Sequence, residues 1–219
     1  MARSLTESPH ASITYEIDYD AVGSARAQVG PHWRERHGFS LTYLPFICFA
    51  ACRAIEQYPE VNARFAGSSL EVFEQIGLAI AVDLGPRGLV APVIHDAGSR
   101  DLSDLAIAIA DLAERARGRR LTERDLQGGT YTITNPGPAG TYSSSPIINQ
   151  PHAAILAVDG IARRPVVRAV ADGHELGIGL RGLVTQAFDH RVFDGAYCGA
   201  FLHSLAETVG TTRWLDRIS

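Results

Sequence analysis

Between Ala11 and Ile17 apolar and polar residues alternate, with Ile13, Tyr15 and Ile17 on one side, and the period predicts a β-strand. Asp18 to Arg36 has a helical pattern with an expected break at Gly30-Pro31. Leu41 to Tyr58 is apolar on almost every side, which predicts a buried helix stopping before Pro59. Two short apolar runs, Leu78 to Leu84 and Leu89 to Ile94, flank Gly85-Pro86-Arg87-Gly88 and predict a hairpin. Leu102, Leu105, Ile109, Leu112 and Ala116 recur at helical spacing, with Asp101 as N-cap and Gly118 as stop. Gly129 to Thr134, Ala153 to Val158 and Gly177 to Phe188 predict further strands, and Ala196 to Val209 a closing helix. Strands and helices mix without strict alternation, so one α/β sandwich is the economical architecture.

Composition narrows the function. At 219 residues the chain is long enough for a substantial core, and its net charge of −4 gives no reason to expect a nucleic-acid or anionic-membrane partner. All 20 basic residues are Arg, so Schiff-base and lysine-nucleophile chemistry drop out. Cys48, Cys52 and Cys198 form no CxxC pair and suit a reducing cytoplasm. No signal peptide is expected at the start of the sequence, and the apolar run 40–52 is too short to span a bilayer.

The chemistry is concentrated near the C-terminus. Phe188-Asp189-His190-Arg191-Val192-Phe193-Asp194-Gly195 places a histidine where an apolar strand gives way to a helix. Imidazole is the side chain best suited to take and return a proton near neutral pH. Asp194 could orient that ring or hold its loop. A lone histidine is more often a hydrogen-bonded structural residue. As a metal pair, His190 and Asp194 lack a third ligand, and no metal is expected. Upstream, Gly128-Gly129-Thr130-Tyr131-Thr132-Ile133-Thr134-Asn135-Pro136-Gly137 is a strand ending in a tight turn. Alone it reads as a strand with routine threonines, but a strand-end hydroxyl also suits an oxyanion donor. A base and an oxyanion donor on rigid elements are what acyl transfer from a thioester requires.

Six blocks in order carry a resemblance: Ser8-Pro9-His10; Pro59-Glu60-Val61-Asn62-Ala63; Gly88-Leu89-Val90-Ala91-Pro92-Val93; Gly128 to Asn135; Pro146-Ile147-Ile148-Asn149-Gln150-Pro151 with Ala154-Ile155-Leu156; and Asp189-His190-Arg191 with Asp194-Gly195. The sequence resembles the catalytic domain of the dihydrolipoamide acyltransferases of 2-oxoacid dehydrogenase complexes, a family that shares its fold with chloramphenicol acetyltransferase. The resemblance implies a two-layer sandwich, a mixed sheet with flanking helices. It implies His190 as general base, Asp194 as its partner in the motif, and Thr134 as oxyanion donor. It further implies coenzyme A or acetyl-CoA as co-substrate, and a homotrimer whose sites lie between subunits, with His and Thr from different chains. Tyr142 and Ser145, in the loop after Thr134, are expected to bind the acceptor.

The sequence shows no lipoyl domain, subunit-binding domain or Ala/Pro-rich linker, and Met1 to Leu5 aligns with the middle of the family's first helix. The expectation is therefore a single catalytic domain over 1–219, free-standing, carrying no lipoate and acetylating a hydroxyl of a small tetronate-like natural product. Two other readings stand beside it. One is a dihydrolipoamide acyltransferase core using lipoyl domains in trans; the other is a non-catalytic trimeric scaffold.

Overall fold

The computed structural model describes residues 2–218. Helices form at Ala2–Glu7 (α1), Asp20–His37 (α2), Leu44–Gln57 (α3), Leu102–Arg117 (α4) and Gly195–Thr211 (α5). Strands are His10–Asp18 (β1), Ala63–Ala66 (β2), Ser69–Val72 (β3), Leu78–Ile80 (β4), Val82–Asp83 (β5), Leu89–Val90 (β6), Val93–Ile94 (β7), Tyr131–Thr134 (β8), Ala154–Val158 (β9), Ala162–Val170 (β10) and Gly173–Asp189 (β11).

The main sheet runs β1-β11-β9-β8-β4-β7, with β10 also paired to β11. Its centre is parallel: Leu78 lies level with Tyr131, and Thr132 with Ile155. Every residue of β4 and β9 is buried, as unbroken apolar runs require of strands covered on both faces. β1, β7, β10 and β11 join antiparallel. The helices form the second layer. α3, buried on most sides, packs between α4 and α5, and α5 packs on β1 and α2. Trp214 closes the helical layer, its ring 5.0 Å from Phe46 and 5.8 Å from Phe49, with Nε1–H donating to the Val209 carbonyl at 3.0 Å. Each such large side chain taken fully from water contributes roughly 2 kcal/mol. The expected two-layer mixed α/β sandwich is what forms.

Three local expectations fail for physical reasons. α2 runs through Gly30-Pro31 without a break. Pro31 is exposed, so water can serve the Ala27 carbonyl that its missing N–H leaves unpaired, while Val22, Ala25 and Trp33 anchor the other face. The hairpin around Gly85 to Gly88 forms but is split. β5 and β6 pair as a separate ribbon, while β4 pairs with β7 on one edge and with β8 on the other. Finally, β11 begins at Gly173 rather than at Gly177, and β10 is added to it. Together they make an exposed arm in which Val167, Leu176 and Ile178 face solvent.

No helix among the described residues is long and apolar enough to cross a membrane.

Candidate active site

His190 follows the last residue of β11, and the loop is pinned from several sides. Its backbone N–H donates to the Pro9 carbonyl at 3.0 Å, and its ring lies 5.7 Å from that of Phe188. Asp189, just before it, is buried and gripped by Arg191: Nε–H at 2.9 Å, Nη2–H at 2.5 Å and the backbone N–H at 3.0 Å. Burial pushes the Asp189 carboxyl up, but the Arg191 and Ser8 hydrogen bonds outweigh it and hold the group below the usual carboxylate range. The Arg191 guanidinium sits 4.3 Å above the Phe65 ring, which ties the loop to β2. The His190 side chain itself is exposed.

Asp194 is the N-cap of α5: Oδ1 accepts the Tyr197 N–H at 2.9 Å. Among the described residues it forms no ion pair. Its carboxylate thus fixes where α5 starts, and through it the loop that carries His190.

Thr134 ends β8, half-buried, on the wall of a cavity of about 1050 Å³. Tyr43, Ile47, Ile80, Ile109 and Asp159 line the same space, and Arg117 is the cation among its lining residues. The turn after Thr134 folds tightly onto β9. A Cβ on Gly137 would fall 2.7 Å from the Asp159 carbonyl oxygen, so only glycine fits there.

Sheet register decides how far apart the two groups lie. Thr134 is level with Ala157, and Ala157 with Thr185. His190 is five residues further along β11, toward the level of Gly129. Two strand spacings across and five residue rises along separate His190 and Thr134 by roughly 19 Å. Within one chain they cannot act on the same atom.

Tyr142 and Ser145 are exposed and outside the residues that line this cavity, and Tyr142 lies under the Arg164 guanidinium at 4.3 Å. Sequence reading passed over two residues nearby. One is Asp159. The other is His152, buried beside Thr132, whose hydroxyl meets Nδ1 at 2.7 Å while Asn149 Nδ2 donates to that hydroxyl at 3.3 Å. Burial pushes the His152 imidazole down to about 4, against a smaller opposing effect of the Gly129 backbone. His152 borders a second cavity of about 970 Å³ with Arg64, Glu74 and Arg124. The pair resembles a base beside a hydroxyl, but Nδ1 is already taken by Thr132 within the protein. Among the described residues no cluster of three His, Cys, Asp or Glu side chains could hold a metal ion.

A model of the 2-oxoacid dehydrogenases acyltransferase family, catalytic domain, matches residues 1–214. The chain belongs to that family. It is 41% identical over 204 residues to the dihydrolipoyllysine-residue acetyltransferase component of the Corynebacterium glutamicum pyruvate dehydrogenase complex, covering 91% of this chain and 30% of that protein. It spans less than half the length of the curated relatives it matches. A probable dihydrolipoamide acetyltransferase from Listeria monocytogenes superposes with a TM-score of 0.89 at 32% identity, over 95% of this chain and 87% of the other. The Azotobacter vinelandii dihydrolipoamide acetyltransferase gives the same score at 29% identity, over 98% and 86%. Chloramphenicol acetyltransferase, at 15% identity and a TM-score of 0.60, shares the fold.

These matches correct the expected function. A free-standing O-acetyltransferase of antibiotic biosynthesis does not stand, because the acyltransferase domain aligns with dihydrolipoyl acyltransferases along nearly its whole length. That expectation rested on segments missing from the sequence. The alignment rests on residues present in it. The alternative reading, a dihydrolipoamide acyltransferase core, is the one supported.

Proposed function

We propose that residues 1–219 act as one catalytic unit that moves an acyl group between a dihydrolipoyl thiol and coenzyme A, with each site built from two copies of the chain. The observation that carries this reading is the roughly 19 Å between His190 and Thr134 set by sheet register. A base and an oxyanion donor that distant serve one reaction only if His190 of one copy meets Thr134 of another. A homotrimer supplies that arrangement three times over, His190 end against Thr134 end, and closes on itself.

The transfer then balances without an acyl-enzyme. His190 takes the proton from the attacking coenzyme A thiol, whose sulfur forms a new bond to the thioester carbonyl carbon. The Thr134 hydroxyl donates to the oxygen as it gains charge. The tetrahedral species collapses, the old carbon–sulfur bond breaks, and the imidazolium returns its proton to the departing dihydrolipoyl thiolate. The apolar walls of the Thr134 cavity, Ile47, Ile80 and Ile109, suit a slender thioester arm and exclude water. These 219 residues contain no lysine, so none of them carries an amide-linked lipoate, and the dihydrolipoyl group reaches this domain as substrate.

A further parallel supports the residue roles. In the Azotobacter vinelandii dihydrolipoamide acetyltransferase a serine, a histidine and an asparagine have been examined for their role in the catalytic mechanism, the last two standing four residues apart as His190 and Asp194 do here. The three cysteines are free and buried, which fits a reducing compartment, and we place the protein in the cytoplasm.

Complementation tests the shared site. His190→Ala and Thr134→Ala proteins are each purified, then unfolded and refolded together. Each alone turns over poorly, and the mixture regains activity at interfaces that join an intact His190 to an intact Thr134. No recovery from mixed assemblies of confirmed composition overturns the shared site.

A further inference from the structure

Asp159, on the wall of the cavity around Thr134, belongs to a polar cluster behind that wall that the transfer chemistry does not use. Asp159 stands just past the end of β9 on the cavity wall and is 1% exposed. Oδ2 accepts the Ser144 N–H at 3.2 Å, and Oδ1 has no partner. Three buried hydroxyls nearby are also unpartnered: Tyr19 Oη, Thr141 Oγ1 and Ser144 Oγ. Backbone geometry draws them together. Gly160 N–H donates to the Thr141 carbonyl at 2.8 Å, and Ser144 N–H reaches Asp159 itself. Tyr19, 0% exposed, has its phenol pushed up, first by burial and then by the Asp159 charge.

Buried polar atoms are nearly always satisfied, so four orphans around one wall mark a place that something completes. Arg181, on the neighbouring strand, is already committed to Asp18 at 2.8 Å and Asp20 at 3.2 Å. Register puts Asp159 one strand over from Thr134 and two residues beyond its partner Ala157, roughly 8 Å away. That is within reach of the far end of a short acyl group whose carbonyl is held by Thr134.

We propose that Asp159 sets the acyl specificity of the Thr134 cavity, admitting short neutral acyl groups and turning away those that end in a carboxylate. The inference rests on Thr134 as oxyanion donor. A neutral acyl group leaves room for water or an amide N–H against Oδ1. An acid-ended group puts a second carboxylate beside the first in a poorly solvated space, where the two negative charges repel. The three neutral hydroxyls cannot offset that repulsion, because a full charge at this range outweighs their dipoles.

The test compares acetyl-CoA with succinyl-CoA, using free dihydrolipoamide as acceptor, for the wild type and Asp159→Asn. Asparagine keeps the shape, and its amide oxygen can still accept the Ser144 N–H. The wild type is expected to favour acetyl over succinyl in kcat/KM by at least about tenfold. Asp159→Asn should raise succinyl transfer about tenfold while changing acetyl transfer less than threefold. An unchanged succinyl-to-acetyl ratio in the variant overturns the inference. So does a variant whose assembly falls apart in sedimentation, since Asp159 would then answer a cation of the neighbouring copy. Calorimetric binding of the same two thioesters reads the preference without turnover. A wild type that binds them with discrimination yet transfers neither group loses the functional reading and keeps this one. Should Asp159→Asn fail to fold, equal wild-type affinities for the two thioesters still overturn it.

Discussion

The two ends of the sheet are finished to different degrees. At the His190 end the charges have partners: buried Asp189 is gripped by Arg191, Arg191 lies on Phe65, and exposed Asp194 caps α5. His10 is spent as well, Nδ1 donating to the Ser8 carbonyl at 2.8 Å and Nε2 accepting the Ile148 N–H at 3.2 Å. At the Thr134 end a large cavity opens against a half-satisfied carboxylate, with unpartnered hydroxyls buried behind it. One end is a rigid mount that presents a side chain outward. The other is a receptacle left incomplete by the single chain. A fold with one of each at opposite ends is complementary to a copy of itself, head to tail.

The hardest blow to this comparison falls on the two side chains it pairs. His190→Ala should lower kcat by about 10³ to 10⁴, as loss of a positioned general base does. Thr134→Ala should cost about 10² to 10³, again mostly in kcat, and Thr134→Ser should restore most of it. Steady-state transfer between acetyl-CoA and dihydrolipoamide measures both. A Thr134→Ala enzyme with unchanged kcat and raised KM would make the cavity a binding site only. A His190→Ala enzyme with near-wild-type turnover would strip the mount of its purpose.

Buried His152 offers a sharper but smaller probe, on stability rather than rate. Its folded value near 4 lies below the ordinary 6.5, so the unfolded chain binds the extra proton first as pH falls. The stability it contributes is complete above about pH 6.5 and is lost as pH drops toward 4, by up to about 3 kcal/mol. Urea unfolding from pH 7 to pH 4 should show that slope, and His152→Gln should flatten it. An equally steep slope in the variant assigns the acid sensitivity elsewhere. Asp189 acts lower on the scale with the same sign: its depressed carboxyl contributes above its unfolded value and loses that contribution only below it.

Much of this was legible in the chain where burial leaves a period or an unbroken apolar run. β9 and α3 declare themselves that way, and the His190 motif stands out because a polar cluster interrupts a buried strand. The β10–β11 arm was not legible. Arg163, Arg164, Pro165 and Arg168 occupy a strand open to solvent on both faces, so no face is selected and no alternation appears. Asp159 was hidden for the opposite reason. Asp-Gly after an apolar strand reads as a solvated turn. What buries it comes from Tyr19 and the 141–144 loop, contacts no local pattern encodes. The separation of His190 from Thr134 also needed register, because sequence distance says nothing about which end of a sheet a residue occupies.

The smallest effect bears on the carboxylate of the motif. Asp194 has two possible contributions, the α5 cap and the orientation of His190, and one substitution set separates them. Asp194→Ala removes both and should cost about 1 kcal/mol of stability through the lost cap. Asp194→Ser and Asp194→Asn keep an acceptor for the Tyr197 N–H and should return that stability to within a few tenths of a kcal/mol. If Asp194 works only by fixing where α5 begins, turnover follows stability and both replacements are nearly as active as the parent. If its charge also steadies the imidazolium, kcat stays several-fold down in the serine and asparagine proteins alike, although their stability returns.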